Sequence, residues 1–266
     1  MMQRCFPLLF SLFFVTSPLI GYMVGNFSDP KIYQEGISCL STKHVHFRAG
    51  YFADYLYRLE LRDEFITPDS DSTDLQMTTY AALLNLNLCH RIDLYTILGS
   101  TKMDEDELGF VPRKFSWSLG AKTLLLQWGK FCFSIDGKYF QTKQKPCYYL
   151  LEDGEPAFVL NNLDFTYTET QVAFGFGYRF SFFSTYLGAT YLDAKLEPNT
   201  RFIALKIPAF GRDAIYSDDG LKNNVNQHQF GIVWGISLIS SNTISLNVES
   251  RHIDQNDVNV YGVIRF

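Results

Sequence analysis

The chain has 266 residues, 47% apolar and 16% aromatic, and its 23 basic and 28 acidic side chains give a formal charge of −5. A long disordered chain would leave these aromatic side chains in water, so we expect a folded protein. The sequence contains no long basic run, which disfavours nucleic-acid binding. After residue 30 no uncharged apolar stretch approaches the roughly 20 residues of a membrane helix, which excludes a helical multi-span protein.

The N-terminus predicts export. Arg4 precedes an apolar stretch, Phe6–Val15, and two small residues follow it. This order is typical of a secretory signal peptide. An uncleaved anchor helix is the alternative, and two prolines and the short apolar region disfavour it. We therefore expect a signal peptide at residues 1–21 and a mature protein at residues 22–266, whose charge becomes −6 when Arg4 is lost.

Alternating residues predict long β-strands. Every odd-numbered residue from Val45 to Leu61 is apolar, whereas the even positions include histidine, arginine, aspartate and glutamate. This period of two predicts a two-faced strand of unusual length. The same alternation recurs in segments 115–122, 131–136, 171–180, 229–238, 244–249 and 258–266. One face is mostly large and apolar, and the other is mostly small or polar.

This asymmetry favours an antiparallel transmembrane β-barrel over a soluble β-sandwich. Such barrels turn apolar residues toward lipid and polar residues toward the lumen, and they place aromatic girdles at both interfaces. A sandwich covers its apolar face with a second sheet and seldom sustains strands of this length. The fold class we predict is therefore all-β.

Loop lengths predict which ends of the strands face the periplasm. Long and short connections alternate, and barrels have short periplasmic turns and longer outer loops. In this scheme residues 183–207 form one outward strand with a bulge near 197–199. The long segments are 62–74, 100–113, 141–162 and 208–226, and the short ones are 89–91, 128–130, 180–182 and 240–242.

The strand number should be even if both termini lie on one side of the membrane. Ten strands follow directly from the alternation. A further hairpin, Cys147–Leu151 and Ala157–Leu160, would raise the number to twelve. We predict about 12 strands, within a range of about 10 to 16.

The C-terminus predicts an assembly signal. Val258, Val260 and Ile264 alternate with polar or small positions, and the chain stops on Phe266. A last strand that ends in an aromatic residue is what outer-membrane barrels present to the barrel assembly machinery. We therefore expect Phe266 to act as this signal.

Five segments of the chain resemble the chlamydial major outer membrane protein, a porin. The resemblance is spread over most of the mature chain and implies an outer-membrane channel. The chain is shorter than the family in the segments that correspond to variable surface loops. It also has few of the family's many cysteines. The segments are HFRAGYFADYLYRLELR (46–62), TTYAALLNLNLCHRIDLYTILGST (78–101), FSWSLGAKTLLLQWGKFCFSIDGKYFQ (115–141), FGFGYRFSFFSTYLGATY (174–191) and ISLNVESRHIDQNDVNVYGVIRF (244–266).

We predict no catalytic residue, no metal site and no cofactor. The cysteines that remain after export, Cys39, Cys89, Cys132 and Cys147, contain no CxxC pair, and strand phase does not pair any two of them. No single disulfide should therefore be essential. The acidic run at residues 104–107 has no EF-hand spacing. A rim hydrolase remains the third candidate class, and the histidines weighed for it are His44, His46, His90, His228 and His252.

The predicted function is a porin-like channel for passive diffusion of ions and small hydrophilic solutes in the bacterial outer membrane. The expected partners are outer-membrane lipid, these solutes, the assembly machinery and, in a homo-oligomer, further copies of the chain, but not nucleic acid. The alternative is a structural or adhesive envelope barrel with an occluded lumen, because ten strands enclose a space largely filled by side chains.

The polar strand phases predict the charges that line the pore. They comprise eight basic and five acidic side chains, an excess of three positive charges that predicts a weak anion preference. The basic residues are Arg48, Arg58, Arg62, Lys122, Lys138, Arg179, Arg251 and Arg265, and the acidic residues are Asp54, Glu60, Asp136, Glu169 and Glu249.

Overall fold

The structure is a computed structural model that describes residues 45–64, 73–105, 108–110, 113–150, 156–159, 162–180, 182–200, 203–206, 215–218, 223–239 and 244–266. The predicted signal peptide and Cys39 lie outside these residues. No helix in the described ranges is long and apolar enough to cross a membrane.

The described part of the chain forms β-strands connected by turns. The strands are β1 (Val45–Asp63), β2 (Thr73–Leu88), β3 (Ile92–Glu105), β4 (Leu108–Phe110), β5 (Lys114–Trp128), β6 (Phe131–Gln144), β7 (Pro146–Leu150), β8 (Pro156–Val159), β9 (Phe165–Arg179), β10 (Phe183–Pro198), β11 (Ile203–Lys206), β12 (Ile215–Asp218), β13 (Asn224–Asn226), β14 (Phe230–Ile239), β15 (Ile244–His252) and β16 (Asn256–Arg265).

Ten of these strands close an antiparallel barrel. Their order around the ring is β1, β16, β15, β14, β10, β9, β6, β5, β3 and β2, and β2 pairs with β1 again. Closure leaves no open edge on the ring. The predicted fold class and even strand number are confirmed, and the number lies at the lower end of the predicted range.

The extra hairpin predicted at residues 147–160 exists but is not part of the barrel wall. Strands β7 and β8 pair with each other in a separate five-stranded sheet, in the order β12, β11, β8, β7 and β4. The strands of this sheet follow or precede the outer ends of barrel strands along the chain. The hairpin therefore does not raise the number of barrel strands from ten to twelve, because alternation alone does not show which sheet a strand joins.

The outer end of the barrel has a smaller ring than the inner end. Strands β14, β15 and β16 contain only 10, 9 and 10 residues, which is the length that crosses a bilayer. Above them the short strand β13 pairs with β1 on one side and with β10 on the other. The circuit β13, β1, β2, β3, β5, β6, β9 and β10 is then closed with eight strands. We call this part the collar and the ten-stranded part the inner section.

The outer wall of the inner section is apolar. Leu119, Phe176 and Leu187 are each more than half exposed there. Aromatic side chains cluster at the short turns, where Trp128 is 86% exposed and Phe182 is 64% exposed. An exposed apolar belt with aromatic residues at its rim is the lipid-facing surface of a transmembrane barrel.

The apolar face of strand β10 changes from the outer side to the inner side of the barrel where the collar begins. In the inner section its outward residues are apolar, such as Leu187 and Tyr191, and its buried inward residues include Ser184 and Thr190. Further out the buried residues are Leu192, Ala194 and Leu196, and the outward ones are Asp193, Lys195 and Glu197. The outer surface of the inner section is therefore apolar and suited to lipid, whereas the outer surface of the collar is charged and suited to water. The prediction of one strand over residues 183–207 with a bulge near 197–199 is wrong, because β10 ends at Pro198 and Ile203–Lys206 forms β11 of the separate sheet.

Strand β1 reaches the same inversion through a β-bulge. Its pairing with β2 shifts between Leu56 and Leu59, and its pairing with β16 shifts between Leu56 and Arg58. The extra residue reverses the phase of everything that follows. The continuous apolar run of odd positions therefore faces lipid before the bulge and the barrel interior after it.

Candidate functional site: a closed lumen

The collar is filled by an apolar core. Phe140 from β6, Tyr167 from β9 and Leu192 from β10 pack in one buried cluster with Leu59 of β1. Ala157 of β8 joins this cluster, so the outer sheet helps to cover the collar. An eight-stranded ring is just wide enough for side chains to fill it. The other members of the cluster are Leu56, Leu61, Leu75, Met77, Met103, Leu163, Phe165, Ala194 and Leu196.

The lumen of the inner section holds buried ion pairs. Lys138 Nζ lies 2.8 Å from Glu169 Oε1, and their side chains are 2% and 0% exposed. Lys122 Nζ lies 3.5 Å from Asp136 Oδ2, with similar burial. Because a buried charge is stable only when it is paired, these contacts hold β5, β6 and β9 together through the lumen.

A second group of charges surrounds Arg251. Its guanidinium lies 3.5 Å from Glu249 Oε1 and 3.7 Å from Asp257 Oδ2, and all three side chains are almost fully buried. Asp254 lies in the turn between β15 and β16, where Thr190 Oγ1 donates a hydrogen bond to it. The outer turn of the short strands is thus tied to β10.

Two inward-facing tyrosines lie over glycines of the neighbouring strand. Tyr95 donates a 2.8 Å hydrogen bond to Asp136, and a Cβ at Gly120 would meet the Tyr95 ring at 2.2 Å. Tyr186 donates a 2.7 Å hydrogen bond to Glu249, and a Cβ at Gly235 would meet the Tyr186 ring at 2.3 Å. The missing side chains of these inward-facing glycines make room for rings that fill the lumen. The glycines therefore serve packing, not pore width.

Two buried polar groups lie on opposite walls of the barrel. The Asp54 carboxylate on β1 and the Gln171 amide on β9 have no hydrogen-bond partner among the described residues. Strands β1 and β9 are five strands apart in either direction around the ring. Both side chains are at most 2% exposed. These groups retain hydrogen-bonding capacity in the middle of the polar lumen, at a cost of about 1–3 kcal/mol each.

Seven residues of the predicted pore lining are buried inside the barrel. They are Arg48, Asp54, Lys122, Asp136, Lys138, Glu249 and Arg251. Glu169, assigned to the same polar phase, is buried with them. The structure brings these residues together as a packed charge network, and their exposure of at most 9% shows that no wide aqueous path separates them.

Arg58 and Glu60 do not line the lumen, which corrects the prediction. Their side chains are 52% and 25% exposed, and they bond to each other on the outer surface of the collar. The bulge of β1 is the reason, because it turns the neighbouring Leu59 and Leu61 inward. Arg62 follows the same reversed phase.

Two further predicted lining residues lie at the inner rim. Arg179 is half-buried at the end of β9, where its backbone N–H donates to Lys130 O at 3.0 Å. The backbone of Arg265 pairs with Arg48, and its side chain lies outside the described part of the structure. Whether these two arginines line a pore stays a prediction.

Three buried acidic residues were not predicted to line the lumen: Asp93, Asp254 and Asp257. Asp93 alternates with Ile92 and Leu94, and Asp257 with Val258 and Val260, so the period of two did carry a signal. Asp254 lies in a turn, where no alternation of residues could indicate that it is buried. The buried charged side chains among the described residues are then four basic and seven acidic, a net formal charge of −3. The positive excess on which the predicted anion preference depends is therefore not found among these buried residues, and the preference stays a prediction.

Of the histidines weighed for hydrolysis, His44 lies outside the described residues, His46 and His90 lie together at the inner end of the barrel, and His228 and His252 lie apart from them and from each other. His228 Nε2 lies 3.5 Å from Glu60 Oε2 at the collar, and His252 Nε2 lies 3.1 Å from Ser250 Oγ. Ser250 Oγ also lies 3.0 Å from the backbone oxygen of Asp257, to which it donates its hydrogen. That hydrogen cannot serve His252 at the same time, so this pair is not arranged as nucleophile and base. The absence of enzymatic activity stays a prediction.

The C-terminal residue closes the seam between the first and last strands. The backbone N–H of Phe266 donates to Phe47 O at 3.0 Å. This bond continues the pairing of β16 with β1. A role of Phe266 in assembly stays a prediction.

The described cysteines form no disulfide with one another. Cys89 is exposed in an inner turn, Cys132 is buried on the lumenal phase of β6, and Cys147 is half-buried in β7. They lie in an inner turn, in a barrel strand and in the separate five-stranded sheet. The disulfide state of Cys39 lies outside the described residues.

Neither the family models nor the curated proteins give a match to this sequence. Among solved structures, the outer membrane protease OmpT from Escherichia coli is 10% identical over 86% of this chain and 97% of its own, with a TM-score of 0.41. The translocator domain of the autotransporter NalP from Neisseria meningitidis is 10% identical over 86% and 90%, with a TM-score of 0.47. An outer membrane channel from Pseudomonas putida F1 is 9% identical over 88% and 98%, with a TM-score of 0.39.

The protein is a transmembrane β-barrel. Its apolar belt faces lipid, its ring of paired strands satisfies the backbone polar groups within the bilayer, and its charges lie inside.

Proposed function

We propose that this protein is an occluded outer-membrane barrel with a structural or adhesive role, which holds a small β-sheet at the cell surface. The observation that carries this proposal is the collar, whose eight-stranded ring is filled by buried apolar side chains. A solute would have to displace that core to pass. The separate five-stranded sheet beyond the collar is the part that a surface partner would meet.

A channel remains the second candidate, and the charge network favours it. Charged side chains within the bilayer are costly and commonly mark ion or solute pathways. Asp54 and Gln171 also retain unused hydrogen-bonding capacity across the lumen. In this function the collar opens during transport. The net negative lining then favours cations, in place of the anion preference predicted from sequence.

Liposome swelling distinguishes the two functions. Purified protein is reconstituted, and the entry of small sugars is compared with empty liposomes and with liposomes that contain a general porin. The occluded barrel predicts swelling no faster than in empty liposomes. Swelling at the porin rate would overturn it and support the channel.

Membership of the chlamydial porin family is a separate proposal. It is supported by the five resembling segments alone, of which four form barrel strands β1, β2, β3, β5, β6, β9 and β10 and one forms β15 and β16. Further partners, such as the assembly machinery or a second copy of the chain, are proposals of the same kind.

A further inference from the structure

Two histidines meet at the inner mouth of the barrel. His46 opens β1 and is 6% exposed, and His90 lies in the turn between β2 and β3. Their Nε2 atoms are 3.3 Å apart, and their ring centroids are 4.5 Å apart. The two residues are separated by 44 positions in sequence, so no spacing motif reveals the pair. The function proposed above does not use it.

The turn that carries His90 has an unusual backbone. Cys89 and His90 have φ angles of 52° and 54°, and Arg91 N donates to Leu88 O at 3.0 Å. These features are those of a type I′ hairpin turn, whose two central positions favour Asn-Gly. The left-handed conformation costs about 1–2 kcal/mol for a residue that is not glycine, somewhat less for asparagine. The chain therefore accepts strain that places His90 beside His46.

The surroundings of the pair are held by hydrogen bonds and carry charges of both signs. His90 N donates to Asn87 Oδ1 at 3.2 Å, and Asn87 Nδ2 donates to Asp93 Oδ1 at 2.7 Å. Arg48 lies 3.6 Å from Asp93, which offsets its charge, and Arg91 follows His90 in the turn.

We propose that His46 and His90 form a zinc site at the periplasmic mouth. Two imidazole nitrogens that bind one tetrahedral Zn²⁺ at its usual bond length lie about 3.3–3.4 Å apart, which matches the observed separation. Among the described residues no third His, Cys, Asp or Glu completes a ligand group with them. Borderline metals such as Zn²⁺ suit imidazole ligands. The ion joins the start of β1 to the β2–β3 turn. The sequence analysis predicted no metal site.

A direct hydrogen bond between the two rings would also bring their nitrogens to 3.3 Å. The two explanations differ in what added metal does. Zinc binding requires both nitrogens to present lone pairs, whereas a hydrogen bond places a proton between them. Zinc should therefore stabilise the folded barrel only if the pair binds it.

Calorimetric titration of the tag-free, metal-stripped mature barrel with Zn²⁺ tests the proposal. We expect saturable binding of a single ion, weakened at least about tenfold by His46→Gln or His90→Asn. His228→Ala, which changes an exposed histidine at the other end of the barrel, should bind as the wild type does. No saturable binding by the wild type, or wild-type affinity in His90→Asn, would overturn the site.

Thermal unfolding of the same samples distinguishes loss of zinc binding from misfolding of a variant. Asparagine suits the left-handed turn better than histidine, so His90→Asn should fold without metal at least as well as the wild type. Zinc should raise the unfolding temperature of the wild type and of His228→Ala but not of His90→Asn. An equal rise in all three proteins would show that zinc stabilises the barrel elsewhere.

Discussion

Leu56 and Leu59 both point into the barrel although three positions separate them, because a β-bulge at Tyr57 lies between them. In a regular strand two residues three apart face opposite sides. The bulge lies where the polar lumen gives way to the apolar collar. Because of the bulge, the odd-numbered apolar residues of β1 face lipid before Tyr57 and pack in the collar core after it.

Deletion of Tyr57 should therefore be tolerated. Without it Leu56 and Leu59 are two positions apart and both still face inward in a regular strand, while the pairing with β2 and β16 becomes continuous. We expect the deletion variant to reach the heat-modifiable folded form in membranes at near the wild-type level.

The matched control is deletion of Ala53, in the regular part of the same strand. That change turns all residues on one side of it to the opposite face, which would place Asp54 or its neighbours in lipid. We expect little folded protein. If the two deletions assembled equally well, the bulge would not set the phase of β1.

The strand pattern could be predicted because lipid requires apolar residues on alternate positions of every strand. The same pattern concealed the bulge, since Leu59 and Leu61 continue the odd-numbered apolar run. On β10 the adjacent apolar residues Tyr191 and Leu192 do mark the inversion in sequence. The collar could not be predicted from the sequence, because it depends on the pairing of β13 with two strands that are far from it along the chain.

The charge network was predictable only in part for a related reason. Strand phase correctly placed Lys138 and Glu169 on the same side of their strands. It could not show that the two side chains meet at 2.8 Å or that the lumen around them is packed. These facts depend on register and strand number, which follow from long-range pairing.

The collar core should contribute strongly to stability. Leu192 is fully buried in it, so Leu192→Ala should lower the free energy of unfolding by about 2–5 kcal/mol. The neighbouring Asp193 faces outward, and Asp193→Ala should change it by no more than about 0.5 kcal/mol. Urea unfolding in lipid vesicles, followed by tryptophan fluorescence, measures both. Equal effects would show that the collar is not a packed core.

Gly120 should be required for the position of Tyr95. An alanine there would bring its Cβ to about the 2.2 Å separation found for an ideal Cβ, so Gly120→Ala should destabilise the barrel by about 1–3 kcal/mol. At Gly137 an added Cβ meets nothing within 4 Å, and Gly137→Ala should be neutral or slightly stabilising. The same unfolding measurement compares them, and a neutral Gly120→Ala would contradict the ring placement.

The buried pair of Lys138 and Glu169 should be sensitive to loss of one partner. Lys138→Met leaves the Glu169 carboxylate without its counter-ion and should cost about 3–5 kcal/mol. Adding Glu169→Gln to this variant should restore part of the loss. Lys143→Met, on the exposed face of the same strand, is the control and should be nearly neutral. No rescue by the second substitution would mean that the lysine acts by packing alone.

Electrical recording across a planar bilayer tests the closed lumen most directly. Purified wild-type protein is reconstituted in high salt beside a general porin that is treated identically, and current is recorded at both voltage polarities. A barrel whose collar is filled by buried side chains predicts no steady conductance steps from this protein while the porin gives them. Stable open-channel steps from the wild-type barrel would contradict the account.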